Sequence, residues 1–226
     1  VVAGRTPDPL EAVAAEIRTA GGRAWAVATD VADPEQVRSL GRAAAQHLGS
    51  VQVLVNNAGV AHSARLDEIT LEDWNRVLAV NATGTLLCTR EFMTGMLERR
   101  WGRVVNIAST AGLAGGRYLA VYSAAKHAVI GFTRSVAAEI AGTGVTCNAV
   151  CPGFVDTELT RTAVERVVAR TGRSPGDALA AMLASASQPR LLAPAEVARA
   201  VLALCVPGSD NVNGEAIVID GRPVPP

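Results

Sequence analysis

Apolar positions along the chain fall into two kinds of pattern. Short continuous runs occupy Val1–Ala3, Ala24–Ala28, Val51–Val55, Arg103–Ile107, Val145–Val150 and Ala216–Ile219. Runs of this length and continuity predict strands buried on both faces, and Val51–Val55 is the clearest of them. Between the runs, apolar residues recur in steps of three and four. Pro7 to Ala20 reads as a helix through Leu10, Val13 and Ile17, with Gly21-Gly22 as its stop. Asp33-Pro34 caps and opens a second helix running to about His47. A long helix starts at about Leu71, with Thr70 as its cap and Asp73 three residues on. Its inward stripe is Trp74, Val77, Leu78, Asn81, Thr85, Cys88, Phe92 and Met96, with Asn81 the polar intruder. Another helix carries Tyr122 and Lys126 and continues through Val129, Phe132, Val136 and Ile140.

From 157 to 192 the pattern loosens, with turn signals at Gly172, Ser174-Pro175-Gly176 and Pro189. One or two short helices forming a mobile flap are expected there. Pro194 opens a last helix to about Leu204. Strands alternating with helices predict an α/β fold: a doubly wound parallel sheet in three layers, as one domain over 1–226.

Composition narrows the function more than the fold. Of 226 residues, 49% are apolar, enough for a substantial core. Twenty-one basic and 21 acidic residues cancel, so no charge argues for nucleic acid or an anionic membrane as partner. No apolar run approaches the ~20 residues that span a bilayer, and no signal peptide is visible. The four cysteines, Cys88, Cys147, Cys151 and Cys205, form no C-x-x-C pair. They read as reduced structural thiols of a cytoplasmic protein. His47, His62 and His127 lack metal-ligand spacing, and no metal site is assigned.

The chemistry gathers around Tyr122-Ser123-Ala124-Ala125-Lys126. On a helix the phenol and the ammonium share one face, a turn apart. An ammonium beside a phenol favours the phenolate and makes a better acid–base group than a free Tyr, which titrates near ~10. Ser109 precedes Tyr122 in Asn106-Ile107-Ala108-Ser109; upstream lie Asn56-Asn57-Ala58-Gly59 and Asn81, and downstream lies Cys151-Pro152-Gly153. Taken singly, each of these residues also reads as structural: a core Tyr, a strand-end Ser, a buried amide.

As an ordered set they resemble the short-chain dehydrogenase/reductase family, over nearly all of Val1–Gly221. The resemblance implies a Rossmann-type fold and the catalytic set Asn81, Ser109, Tyr122 and Lys126. Tyr122 would be the acid–base group and Lys126 would lower its pKa and hold the nicotinamide ribose. Ser109 would clamp the substrate oxygen, and Asn81 would hold a water linking Lys126 to solvent. For the cofactor, the resemblance implies Asp30 and Val31 at the adenine, Asn57, Ala58 and Gly59 at its ribose, and Pro152, Gly153, Val155 and Thr157 at the nicotinamide. Asn56 reads equally as a brace between strands.

Gly4 and Arg5 stand where an acidic residue would select NAD(H), and an Arg can pair with a 2′-phosphate. NADP(H) is therefore favoured, with NAD(H) left open. The family's Gly-rich turn, T-G-x-x-x-G-x-G, has no counterpart here. The chain starts inside the family's second strand, so an N-terminally incomplete record is expected, with a gap left in the middle of the sheet. Leu113–Leu119 and the flap, with Leu159, Val164, Met182 and Leu183, would form an apolar substrate wall. Arg117 beside it reads as solvated or as a contact for an anionic group. Trp101–Thr157 looks closest to 3-oxoacyl thioester reductases and polyketide ketoreductases, from which Gln52 and Arg222 are modest departures. The expected partners are a small-molecule substrate, free or linked to CoA or a carrier protein, and copies of the chain in a homo-oligomer, with a tetramer favoured. A scaffold or cofactor sensor without chemistry, or a dehydrogenase of a free or alicyclic alcohol, stands as the alternative.

Overall fold

A computed structural model of the chain describes residues 1–222. Six strands and eight α-helices alternate among them: β1 (Val2–Gly4), α1 (Pro7–Thr19), β2 (Ala26–Ala28), α2 (Pro34–Leu48), β3 (Val53–Asn56), α3 (Leu71–Leu78), α4 (Gly84–Arg99), β4 (Gly102–Ile107), α5 (Ala120–Glu139), β5 (Val145–Pro152), α6 (Glu158–Thr171), α7 (Pro175–Ser185), α8 (Pro194–Cys205) and β6 (Ala216–Ile219). Local chemistry sets several starts. The Asp33 carboxylate accepts from the Glu35 and Gln36 amides, Thr70 accepts from Asp73, and Ser174 from Asp177. Among the described residues no helix is long and apolar enough to cross a membrane.

β3, β4, β5 and β6 form one parallel sheet in that order. β4 and β5 pair over six residues, from Gly102 opposite Val145 to Ile107 opposite Val150. Their side chains alternate between two cores. Val104 packs with Met96, Ala137, Ile140 and Cys147 beneath α4 and α5. Val105 points the other way and packs with Val150 and with Leu204 of α8. Helices thus cover both faces, as the continuous apolar runs predict.

β1 and β2 form a separate parallel pair. Between β1 and β3 lies a cavity of about 540 Å3, bordered by Ala3, Leu40, Ala44, Val53, Val55 and Phe92. The gap expected in the ladder is here. It corrects the reading of β3 as fully buried: Val53 and Val55 are 38% and 41% exposed, because this edge of the strand has no neighbour.

A second correction concerns the long helix from Leu71. It continues to Arg99, but through a π-helical turn at Ala79–Thr83 between α3 and α4. Asn81, 1% exposed, sits in that turn. Its amide donates to the Val77 and Val60 carbonyls, both at 2.9 Å. A π turn widens the helix locally, and such turns concentrate at functional sites. Of the predicted stripe, Trp74 is 38% exposed, while Val77, Thr85, Cys88 and Met96 are buried.

The sheet is braced below its carboxyl ends by polar side chains. Asn56 donates to Asn106 Oδ1 at 2.8 Å and to Thr89 at 3.0 Å. Asn106 donates in turn to Thr133 on α5 at 2.8 Å. The chain therefore links β3, β4, α4 and α5, and Asn56 has the bracing role that the sequence left open. Asn106→Ala removes the shared partner and opens a small void. The expected loss is about 2–3 kcal/mol, read as a lowered midpoint in urea denaturation.

Candidate active site

The site lies at the carboxyl edge of the sheet, where β3, β4 and β5 release their chains into loops. Open parallel sheets place ligands there. Ser109 follows β4 by two residues. Its hydroxyl accepts the Ala111 amide at 3.1 Å and stands 3.5 Å from the Pro152 carbonyl at the end of β5. Tyr122 and Lys126 lie one turn apart near the start of α5, as the spacing predicts. Lys126 is 4% exposed, and its Nζ donates to the Ile107 carbonyl at 2.7 Å.

The expected electrostatics need correction. Lys126 Nζ lies 5.7 Å from the Tyr122 ring centroid and is committed to Ile107. Burial, and not the ammonium, sets the direction of the phenol's shift here. Burial pushes Tyr122 above its ordinary value, and the hydrogen bond with Ser109 pulls part of the way back. Burial likewise lowers Lys126 to about 8, against a smaller opposing effect of Cys151. The phenol thus keeps its proton at neutral pH, the state needed to donate it, and the ammonium is poised to exchange one.

Asn81 closes the back of the site. Its Oδ1 is buried with no hydrogen-bond partner. A Cβ built on Gly59 would lie 2.8 Å from that oxygen and 3.6 Å from Lys126 Nζ. Glycine at 59 keeps this corner open, and an unpaired acceptor beside an ammonium is the place for a bridging water.

The other predicted residues form two groups. Arg5, Asp30, Val31, Asn57, Ala58 and Gly59 all border the 540 Å3 cavity, with Gly4 and Thr29. They stand just beyond the carboxyl ends of β1, β2 and β3, around the gap in the ladder: two glycines, a carboxylate, and a cation beside Gly4. Asp30 accepts the Ala32 amide at 2.9 Å, leaving the helix cap to Asp33. Pro152, Gly153, Val155 and Thr157 do not border this cavity; they follow one another at the exit of β5, where the Pro152 carbonyl lies 3.5 Å from the Ser109 hydroxyl. Thr157 is the first residue before α6 and makes no cap; its hydroxyl lies 3.4 Å from the Val155 carbonyl.

The flap is built from α6 and α7. Arg170 on α6 pairs with Glu68, in the turn Leu66–Glu68, at 2.9 Å. Leu113 and Leu159 are 41% and 45% exposed, while Val164, Met182 and Leu183 are half-buried. Tyr118, with φ 66, ends the loop before α5, and Arg117 stacks over its ring. The sequence carries no marker for that left-handed Tyr. Cys88, Cys147 and Cys151 are buried free thiols; burial raises Cys88 to about 11 and Cys147 to about 12.

Fold and site place the chain in the class of α/β proteins with a parallel sheet and a polar site at its carboxyl edge. A family model described as short chain dehydrogenase matches residues 1–167, and the chain belongs to that family. It is 46% identical over 150 residues to a 3-oxoacyl-[acyl-carrier-protein] reductase of Synechocystis, a match that spans 66% of this chain and 61% of that protein. A 3-oxoacyl-[acyl-carrier-protein] reductase of Vibrio cholerae is 34% identical over 89% of this chain and 78% of its own length. Among solved structures, a variant of actinorhodin polyketide ketoreductase with NADPH superposes with a TM-score of 0.92 at 37% identity, covering 97% of this chain and 85% of that one.

The lowered Lys126 pKa has a measurable consequence. Between pH ~8 and ~10.5 the unfolded chain holds a proton that the folded chain has released, so stability rises with pH. Lys126→Met lacks this gain. Measured by denaturation at about pH 7 and pH 9.5, wild type should gain roughly 2 kcal/mol relative to the variant.

Proposed function

We propose that the chain transfers a hydride between NADP(H) and a carbonyl/secondary alcohol pair, the carbonyl being a 3-oxoacyl thioester or a related hydrophobic ketone. The observation that carries this reading is the convergence of Ser109, Tyr122, Lys126 and the unpaired Asn81 oxygen at the carboxyl edge of the sheet. Apolar residues flank that edge: Leu113 and Leu159 are exposed beside it, which suits an acyl chain better than a sugar. The two 3-oxoacyl-[acyl-carrier-protein] reductases named above act, by their names, on 3-oxoacyl groups carried on a protein, so the carbonyl here is read as carried on CoA or on a carrier protein.

When bound, the reduced nicotinamide supplies the hydride. This chain's residues do the rest. Tyr122, kept protonated by burial, gives its proton to the carbonyl oxygen as negative charge develops there. The Ser109 hydroxyl donates a hydrogen bond to the same oxygen and stabilises that charge. Lys126 holds the nicotinamide ribose and, with a pKa of about 8, replaces the phenol's proton through a water at Asn81 Oδ1. Asp30 and Val31 hold the adenine, Asn57, Ala58 and Gly59 its ribose, and Arg5 the 2′-phosphate. Pro152, Gly153, Val155 and Thr157 receive the nicotinamide. A cytoplasmic homotetramer belongs to the same reading.

Tyr122→Phe should lower turnover of an acetoacetyl thioester by at least ~10²-fold, followed as NADPH oxidation, with NADPH affinity retained. Near-wild-type turnover would sink the mechanism. Arg5→Ala should raise the KM for NADPH by about tenfold, a loss of one charge-assisted contact, and leave that for NADH unchanged.

A further inference from the structure

Gln188 lies in the segment joining the flap to α8, 33 residues beyond Val155 in the loop that leaves β5. It is a long polar side chain, yet only 5% exposed. All its polar capacity is directed at backbone. Oε1 accepts the Phe154 amide at 2.7 Å, and Nε2 donates to the Phe154 carbonyl at 2.8 Å and to the Arg190 carbonyl at 2.6 Å. The side chain therefore holds Phe154 from both its N–H and its C=O, as a paired strand would.

The clamp is built from both sides. Ser187, with φ 52, and Gln188 end α7: the Ser187 amide donates to Ala184 and the Gln188 amide to Leu183. That is a Schellman ending, with Ser where Gly is usual, and it aims the Gln188 side chain at β5's exit. On the other side, a Cβ at residue 153 would stand 2.3 Å from Gln188 Oε1, so glycine there admits the amide. Leu192 adds to the hold: its N–H donates to Phe154 at 3.0 Å, and its carbonyl accepts from Asp156 at 2.9 Å.

These bonds leave one donor over. Gly153 N–H is taken by Ile219, Phe154 N–H by Gln188 and Asp156 N–H by Leu192, whereas Val155 N–H has no partner among the described residues. Its neighbours on both sides are fixed, so its direction is fixed too.

We infer that Gln188 is a positioning residue: by clamping Phe154 it aims the Val155 N–H at the nicotinamide carboxamide and ties flap geometry to that half of the cofactor. This rests on the NADP(H) reading above. The clamp itself is a property of the chain without cofactor. Removing it should therefore weaken recognition of the nicotinamide half and spare the adenosine half. A merely structural role would weaken both together.

The test uses Gln188→Leu, which keeps the bulk and loses all three bonds, and Gln188→Glu, which keeps an acceptor for Phe154 N–H and loses both donors. Amide hydrogen exchange in the cofactor-free chain should be about tenfold faster at Phe154 in Gln188→Leu, the effect of losing about one net hydrogen bond, and unchanged in the middle of α5. Fluorescence titration should show NADPH affinity about tenfold weaker, and competition should show 2′-phospho-ADP-ribose, which lacks the nicotinamide, binding as in wild type. Gln188→Glu should fall between. Unchanged exchange at Phe154 overturns the clamp. Equal weakening of both ligands, or of neither, overturns its positioning role. If wild type binds neither ligand, the NADP(H) reading fails, and the positioning role fails with it, whatever the exchange shows of the clamp.

Discussion

The pairing of β4 with β5 is the constraint on which the rest of the structure depends. The two strands run in register for six residues, with helices on both faces. A parallel ladder buried on both sides tolerates no slip, because a shift of one residue would exchange the two cores. The two strand exits are thereby held side by side. Ser109 leaves one and Pro152–Thr157 leaves the other, with 3.5 Å between the Ser109 hydroxyl and the Pro152 carbonyl. Lys126 reaches down to the last carbonyl of β4 itself.

Burial is the second organising force, and it acts on chemistry as well as on stability. The site holds an ammonium almost out of water, with one backbone carbonyl as its hydrogen-bond acceptor. That placement costs folding free energy near neutral pH and leaves a lysine that exchanges protons easily. Beside it, burial keeps the Tyr122 phenol protonated. The unpaired oxygen of Asn81 is a further cost in the same few ångströms. Buried groups left unsatisfied in this way are common where function, rather than stability, sets the arrangement.

The flap shows how a loosely patterned segment can still be tied to the sheet. α6 and α7 carry few residues that the main core needs, and the exposed Arg170–Glu68 pair holds them only weakly. The firm connection is backbone-directed: Leu192 and Gln188 extend the end of β5 by what amounts to a short partner strand. The loop that leaves β5 and the flap therefore share one set of hydrogen bonds.

Much of this was legible in the chain. The apolar runs locate β4, β5 and β6 closely, since a strand buried on both faces has a continuous signature. Asp33, Thr70 and the prolines at 34 and 194 mark helix starts, because caps are local chemistry, whereas Ser174-Pro175-Gly176 reads as a turn and opens α7. Tyr122 and Lys126 share a face by helical spacing alone, and Ser109, Asn81 and Gly59 belong to the same ordered pattern. What the sequence could not determine was set by non-local packing. The π turn at Asn81 has no local signal, and within it the Asn81 amide meets the Val60 carbonyl of another loop. The exposure of Val53 and Val55 depends on whether a neighbouring strand is present, which no pattern within β3 reports. The direction of the Tyr122 pKa shift turned on burial and on where Lys126 found its acceptor, not on spacing along α5. Gln188 reads in sequence as one polar residue in a loop, and becomes a clamp only because folding brings Phe154, 34 residues away, against it.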